Sequence, residues 1–392
     1  MAKSGPLDGI RIVEMAGIGP APFAAMILAD LGAEVIRIDR PSPSGNGILR
    51  PPRFDVVNRG RPSVALDLKQ PDAVACALDL IARADGLIEG FRPGVMERLG
   101  LGPDPCLARN PRLVYGRLTG WGQDGPLASA AGHDLNYLAL TGALDMIGRA
   151  GQPPTPPLNF VADYAGGSLM LAIGMLAAML HARRTGTGQV IDAAMIDGVT
   201  LLCSAMTGMH AAGQHNGPRG TNILDGGAPF YDVYPCADGK YLSVAPIEPK
   251  FRRIFLRGIG VDPADVPDMD DPATWPQARC LIAARLAERT QDEWCAVFAG
   301  QDACVAPVLS LAEAPVHPHN AARGSLADIG GLPQPAPAPR FSATPAPLPR
   351  PPEEAPGADG AAVLRAWGIA SARVAGLIAT GALVARPDIG ET

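Results

Sequence analysis

The sequence predicts an α/β protein, with a large domain on a parallel sheet followed by a small α+β domain. Three observations carry this. Between residues 9 and 120, short apolar β-rich runs alternate with segments of helical spacing, the pattern of crossover units on a parallel sheet. A stretch at 215–227, rich in turn formers and without periodicity, reads as a boundary loop. Residues 332–357 hold ten prolines, too many for helix or sheet, and are expected to run extended as a semi-rigid strap.

The elements follow in order. Strands are expected at 10–13, 35–38, 63–66, 86–89 and 112–117, with helices at 23–31 and 73–84 between them. Helical spacing returns at 134–142 and 167–182, then a strand at 188–193 and a helix at 195–209. In the second block, 230–235 and 240–245 flank Cys236-Ala-Asp-Gly239, a connection of hairpin length, and helices are expected at 249–258 and 292–300. Short terminal helices are expected at 361–367 and 373–380. The division is 1–210 for the large domain, 211–226 for a linker, 227–320 for the small domain, 321–358 for a Pro-rich linker, and 359–392 for helices returning to the large domain.

Composition limits the function. The chain has 392 residues, 47% apolar and 18% charged, with a net charge of -6 and no basic run to track a phosphate backbone, so nucleic acid is not an expected partner. The uncharged run 165–180 falls short of a membrane span, so a buried helix is expected and no membrane. Seven scattered cysteines, never in Cys-x-x-Cys spacing, speak against disulfides and a zinc site; a cytoplasmic protein is the expectation.

Four local patterns bear chemistry. The turn Gly17-Ile-Gly19-Pro-Ala-Pro22, with Asp39 after the next strand, resembles a dinucleotide fingerprint but puts proline where the third glycine belongs. It therefore reads either as a nicotinamide or flavin site or as a Gly-Pro turn that starts a helix and lets backbone approach another ligand. Arg37, Arg40, Arg59, Arg61 and Arg92 lie at strand ends or in loops, where guanidinium forks suit phosphates. Gly132-His133-Asp134 precedes a helix, whose dipole keeps an imidazole neutral and available as a base; Asp134 alternatively reads as an N-cap. Asp163, in an apolar setting beside Gly166 and Gly167, is expected to have a raised pKa, or else to cap a helix. Glu248, between apolar residues after a strand, reads as a ligand-facing acid or a first-turn helix acid.

Together these segments resemble the alpha-methylacyl-CoA racemases, a branch of the class III CoA-transferase (CaiB/BaiF-type) superfamily. The resemblance runs through Gly5-Pro-Leu-Asp-Gly-Ile-Arg-Ile-Val-Glu-Met-Ala-Gly-Ile-Gly-Pro-Ala-Pro22, Gly32-Ala-Glu-Val-Ile-Arg-Ile-Asp-Arg-Pro41 and Thr119-Gly-Trp-Gly-Gln123. It continues through Gly132-His-Asp134, Leu158-Asn-Phe-Val-Ala-Asp163, Gly188-Gln-Val-Ile-Asp-Ala-Ala-Met195 and Ala245-Pro-Ile-Glu-Pro249. It implies a Rossmann-like large domain, a small domain and an interlocked homodimer threaded by long linkers. It implies that Ile18, Arg40 and Arg92 contact the CoA moiety and that His133 and Asp163 are the catalytic pair. By the same likeness Glu248 orients His133 from the other subunit, Asn159 supports Asp163, and the Asp134 backbone amide faces the thioester oxygen. The implied reaction is racemisation of 2-methylacyl-CoA thioesters by proton exchange, with an acyl-CoA substrate and neither metal nor redox cofactor. The alternative is CoA transfer through Asp163 as nucleophile, although the transferases generally lack the histidine. Methionines including Met15, Met146, Met170, Met175, Met195, Met206 and Met209 are compatible with an adaptable acyl surface, with core packing the competing reading for 170 and 175.

Overall fold

Strands β1 (Arg11–Met15), β2 (Glu34–Asp39), β3 (Ser63–Ala65), β4 (Gly86–Glu89), β5 (Val114–Thr119) and β6 (Gln189–Ala194) build one six-stranded, wholly parallel sheet in the order β3-β2-β1-β4-β5-β6. The computed structural model that shows this describes residues 5–42, 45 and 47–384. Helix α1 (Pro20–Asp30) links β1 to β2, and α2 (Pro71–Ile81) links β3 to β4. The short helices α3 (Val95–Arg98) and α4 (Pro103–Arg109), between β4 and β5, had no periodic signal at their length. From β5 the chain passes through α5 (Asp134–Leu140) and a π-helix at Phe160–Leu169 that continues directly into α6 (Met170–Thr185), then returns as β6 and α7 (Met195–Leu202).

Residue alternation assigns the two faces. Val13, Met15, Ile36, Ile38, Leu87 and Tyr115 pack with α2, α4 and the terminal helices into one core through Leu80, Cys106, Leu364, Trp367 and Leu377. Their neighbours in sequence, Gly86 and Gly116, face α6. An added methyl would lie 2.6 Å from Met175 Cε at Gly86 and 2.7 Å from its sulfur at Gly116, so glycine lets the helix seat on the strands. Met175 is thus core, as are Met15 and Met195.

The helix from 160 to 185 is, by length and composition alone, long and apolar enough to cross a membrane, yet half of its apolar window is buried inside the fold. The expected buried helix is therefore buried on one face only: Leu169, Ile173 and Leu180 are exposed along the other. Its π segment packs on α7, where an added methyl at Gly198 would lie 1.7 Å from the Gly166 carbonyl oxygen. Gly198→Ala is expected to lower stability by about 3 kcal/mol, since neither backbone can move without opening the other's helix. A thermal melt within a degree of the parent would contradict this packing.

The described residues form two compact units, one from those up to Thr141, Leu158–Leu202 and those from His319 onward, the other from Gly142–Pro157 and Cys203–Pro318. Within the second, α8 (Ser204–Ala211) precedes an antiparallel sheet of β7 (Asp232–Pro235), β8 (Tyr241–Val244) and β9 (Val305–Pro307). Helices α9 (Pro249–Gly258), α10 (Trp275–Leu286) and α11 (Gln291–Phe298) share a core of Phe255, Trp275, Ile282, Trp294 and Phe298 with it. Neither β9 nor α10 was expected. The helix expected over 195–209 is broken at Cys203.

After α12 (Pro318–Arg323), β10 (Leu326–Ile329) and β11 (Leu332–Pro335) form a hairpin, so the strap begins as sheet, contrary to expectation. Pro333 and Pro335 are two apart, so both point their missing donors to the same side of a strand that is itself an edge. The strap then runs along β3, with the Gly60 N–H donating to the Arg350 carbonyl at 2.9 Å and the Gly357 N–H to Ser63 Oγ at 2.9 Å. Helices α13 (Gly360–Ala366) and α14 (Ser371–Ala379) close the sheet core.

Candidate active site

In a sheet of this order, ligands collect outside the carboxyl ends of β1 and β4, where the winding reverses. Four loops leave that edge: 16–19 after β1, Arg40 after β2, 90–94 after β4 and 120–133 after β5. Gly19 caps α1 at φ 69°, a conformation that favours glycine, and a methyl there would lie 3.5 Å from Asp163 Oδ2. The Ser168 hydroxyl donates to the Pro20 carbonyl at 2.7 Å, with the Asp163 carbonyl 2.9 Å away, and Phe23 stacks on Tyr164 at 4.3 Å. The turn after β1 and the π-helix are thereby one rigid piece.

Asp163 sits inside the π-helix, not ahead of it as its glycine neighbours suggested, and it does not cap that helix. The cap comes from another element. The first N–H groups of a helix have no partner within it, and here those of Ala162 and Asp163 donate to Asp134 Oδ2 at 2.9 and 2.7 Å. Asp134 is the first residue of α5, and His133 is its N-cap, in extended backbone with its N–H donating to Asn136 Oδ1 at 3.0 Å. One buried carboxylate therefore fastens the start of α5 to the start of the π-helix. Among the described residues no hydrogen bond joins His133 to Asp163.

Burial pushes the Asp163 carboxyl up to about 6; a 3.3 Å hydrogen bond from Asn159 Nδ2 opposes the rise, the Asp134 charge adds to it and His133 offsets it. Asp134 is itself raised by burial, against the pull of the two backbone N–H groups. His133 is exposed and Asn159 half-buried.

The arginines separate into two sets. Arg59 and Arg61 are buried and serve the fold: Arg59 pairs with Asp30 at 2.6 Å and Arg61 with Glu14 at 3.1 Å. Arg37 pairs with Asp39 at 2.9 Å, and Asp39 also accepts from Ser63 Oγ at 2.6 Å, so the acid of the apparent fingerprint is engaged and offers nothing to a ribose. Arg40 and Arg92 are exposed at the strand ends and, among the described residues, in no ion pair; Ile18 is exposed beside Gly19. Glu248 belongs to the second unit, exposed at the N-cap of α9, where its carbonyl accepts from Phe251 and Arg252.

Tyr137 escaped the sequence reading. It follows His133 by four residues, one turn of α5, and that spacing could have found it. Its ring occupies the room left by Gly120 and Gly132 and meets Trp121 edge-on at 4.7 Å. Burial first, and then the Asp163 charge, push its hydroxyl up to about 12, with Arg92 opposing.

Residues 7–359 match CoA-transferase family III, and the chain belongs to that family. A protein of Mus musculus named alpha-methylacyl-CoA racemase is 47% identical over 341 residues, 87% of each chain. Its namesake in Homo sapiens is 46% identical over 347 residues, again 87% of each. The crystal structure of a CAIB/BAIF family protein from Brucella suis superposes with a TM-score of 0.81 at 26% identity, covering 93% of this chain and 100% of that one.

Proposed function

We propose that this chain is an acyl-CoA racemase that interconverts (2R)- and (2S)-2-methylacyl-CoA thioesters. One base removes the proton alpha to the carbonyl, an enolate forms, and a second group returns a proton to the opposite face. His133 and Asp163 are the two groups, exchanging roles between enantiomers. The backbone N–H of Asp134, first in α5 and so without an intrahelical partner, meets the enolate oxygen. Arg40 and Arg92 hold CoA phosphates, Ile18 lines the same crevice, and Leu158 and Phe160, exposed on either side of Asn159, offer the acyl group an apolar surface. Oxidation state does not change, so the step calls for no redox cofactor, and the Asp134 N–H supplies the donor that the enolate oxygen requires. The observation that carries the reading is a carboxyl poised near neutrality, locked through Asp134 to a histidine that it does not hydrogen-bond. Chiral chromatography of a single 2-methylacyl-CoA enantiomer tests it: both configurations are expected in the product, and unchanged configuration across several acyl chains would overturn it.

The family name keeps a second reading in view, transfer of CoA between carboxylates through an Asp163 mixed anhydride. Hydroxylamine separates the two when read on the protein, because it converts an activated Asp163 acyl group to a protein-bound hydroxamate, whereas the enolate route leaves Asp163 unmodified.

The working form is proposed to be an interlocked homodimer. The exposed apolar stripe Leu169, Ile173 and Leu180 supports a covering second copy. Glu248 of that copy orients His133. Co-expressing a His133→Ala chain with a Glu248→Gln chain is then expected to restore about a quarter of parent activity, because half the dimers are hybrid and each hybrid has one intact pair. A fully active monomer by sedimentation, or no recovery in the purified hybrid, would count against it.

A further inference from the structure

Arg92 has no ion-pair partner among the described residues, yet the loop that carries it is tied at both ends to one buried side chain. Glu89, the last residue of β4 and fully buried, accepts the Phe91 N–H on Oε2 at 2.7 Å and pairs through Oε1 with Arg117 Nε at 2.9 Å. Arg117, on β5 and itself buried, also reaches Glu97 on α3, with Nη1 to Oε1 at 2.9 Å and Nη2 to Oε2 at 3.3 Å. A single guanidinium thus holds the residue before the 90–94 loop and the helix just after it. Gly90 lets the end of β4 pack closely on the first turn of α1, where an added methyl would lie 3.0 Å from Ala21 Cβ, and Gly94 makes the turn into α3 at φ 80°, a conformation that favours glycine. The stem of Arg117 passes its charge 5.9 Å from the Tyr115 ring, whose hydroxyl donates to the Leu101 carbonyl beyond α3.

We infer that Arg117 is a positioning residue for substrate binding: its fork fixes the 90–94 loop so that Arg92 is presented to the phosphates of the CoA moiety. This rests on the acyl-CoA reading above. Arginine is suited because one planar fork can grip two carboxylates at once, which a lysine ammonium does not reproduce. Arg92 then meets its anion with its backbone already ordered, and the ordering cost is met in folding and not in binding.

The test compares two thioesters of one 2-methyl acid, the CoA ester and the pantetheine ester, which lacks the nucleotide phosphates. Arg117→Lys and Glu97→Gln are the variants; the second removes one tie without leaving a buried charge unpaired, and so guards against misfolding. For Arg117→Lys the KM of the CoA ester is expected to rise about tenfold with a smaller change in kcat, while kcat/KM for the pantetheine ester shifts less than about twofold. Glu97→Gln is expected to move the same parameter in the same direction, by about threefold. In an Arg92→Ala background, Arg117→Lys is expected to add little, since the two act as one unit. Equal losses on both esters, or full additivity with Arg92→Ala, would overturn the inference and leave Arg117 as a fold element. A parent protein that turns over neither ester would overturn the acyl-CoA reading and the inference with it.

Discussion

His133→Ala is expected to lose racemisation in both directions by about 10³-fold, in the range that a positioned general acid or base contributes. Inversion at carbon needs a group on each face, so removing one stops the cycle for both enantiomers. It does not stop both half-reactions. Asp163 survives in the variant, and its carboxylate can still remove and return the proton on its own face. One enantiomer is therefore expected to keep washing out its alpha proton with retention of configuration. That residual exchange needs Asp163 ionised, so it rises with pH through about 6 and then levels. Racemisation of both enantiomers at near the parent rate would remove His133 from the chemistry and leave it as the N-cap of α5.

Asp163→Asn is expected to lose racemisation to a similar extent and to carry a second signature in stability. Burial holds the folded carboxyl at about 6 against an ordinary 3.8, so the folded chain binds more protons than the unfolded one between these values. For such a group, stability is highest below the unfolded pKa and falls as pH rises through the folded one. The parent thus loses stability at this residue from about pH 4 to about pH 6 and does not regain it above. Asparagine is neutral throughout. The variant is expected to melt above the parent at pH 8, with the difference shrinking toward zero at pH 4. A variant that melts below the parent at pH 8 would mean that the ionised carboxylate is well satisfied in the fold, against the burial that sets its pKa.

How much of this was legible in sequence follows from what each signal depends on. The sheet was readable because β1, β2 and β4 are short, apolar-rich segments separated by helical spacing, and burial in a parallel sheet produces that pattern regardless of partners. The site's elements were readable as motifs, although their mutual placement was not. Arg59 and Arg61 read as phosphate ligands because nothing local reveals that Asp30 and Glu14 lie opposite them; those pairings come from the packing of α1 and β1. The π-helix was missed because Gly166 and Gly167 count against a helix in isolation, and their reason is the close approach of Gly198 and Met195 from α7. Arg117 carried no signal at all, since its role depends on two glutamates twenty and twenty-eight residues away.

The most direct measurement of the central claim is proton NMR of each 2-methylacyl-CoA enantiomer, incubated separately with the protein in deuterated buffer. The two-base reading predicts that both lose the C2 proton, that the methyl doublet of each collapses, and that the two samples converge on one mixture of configurations. Retention of proton and configuration in both samples would contradict it, as would exchange that persists undiminished when His133 and Asp163 are both replaced.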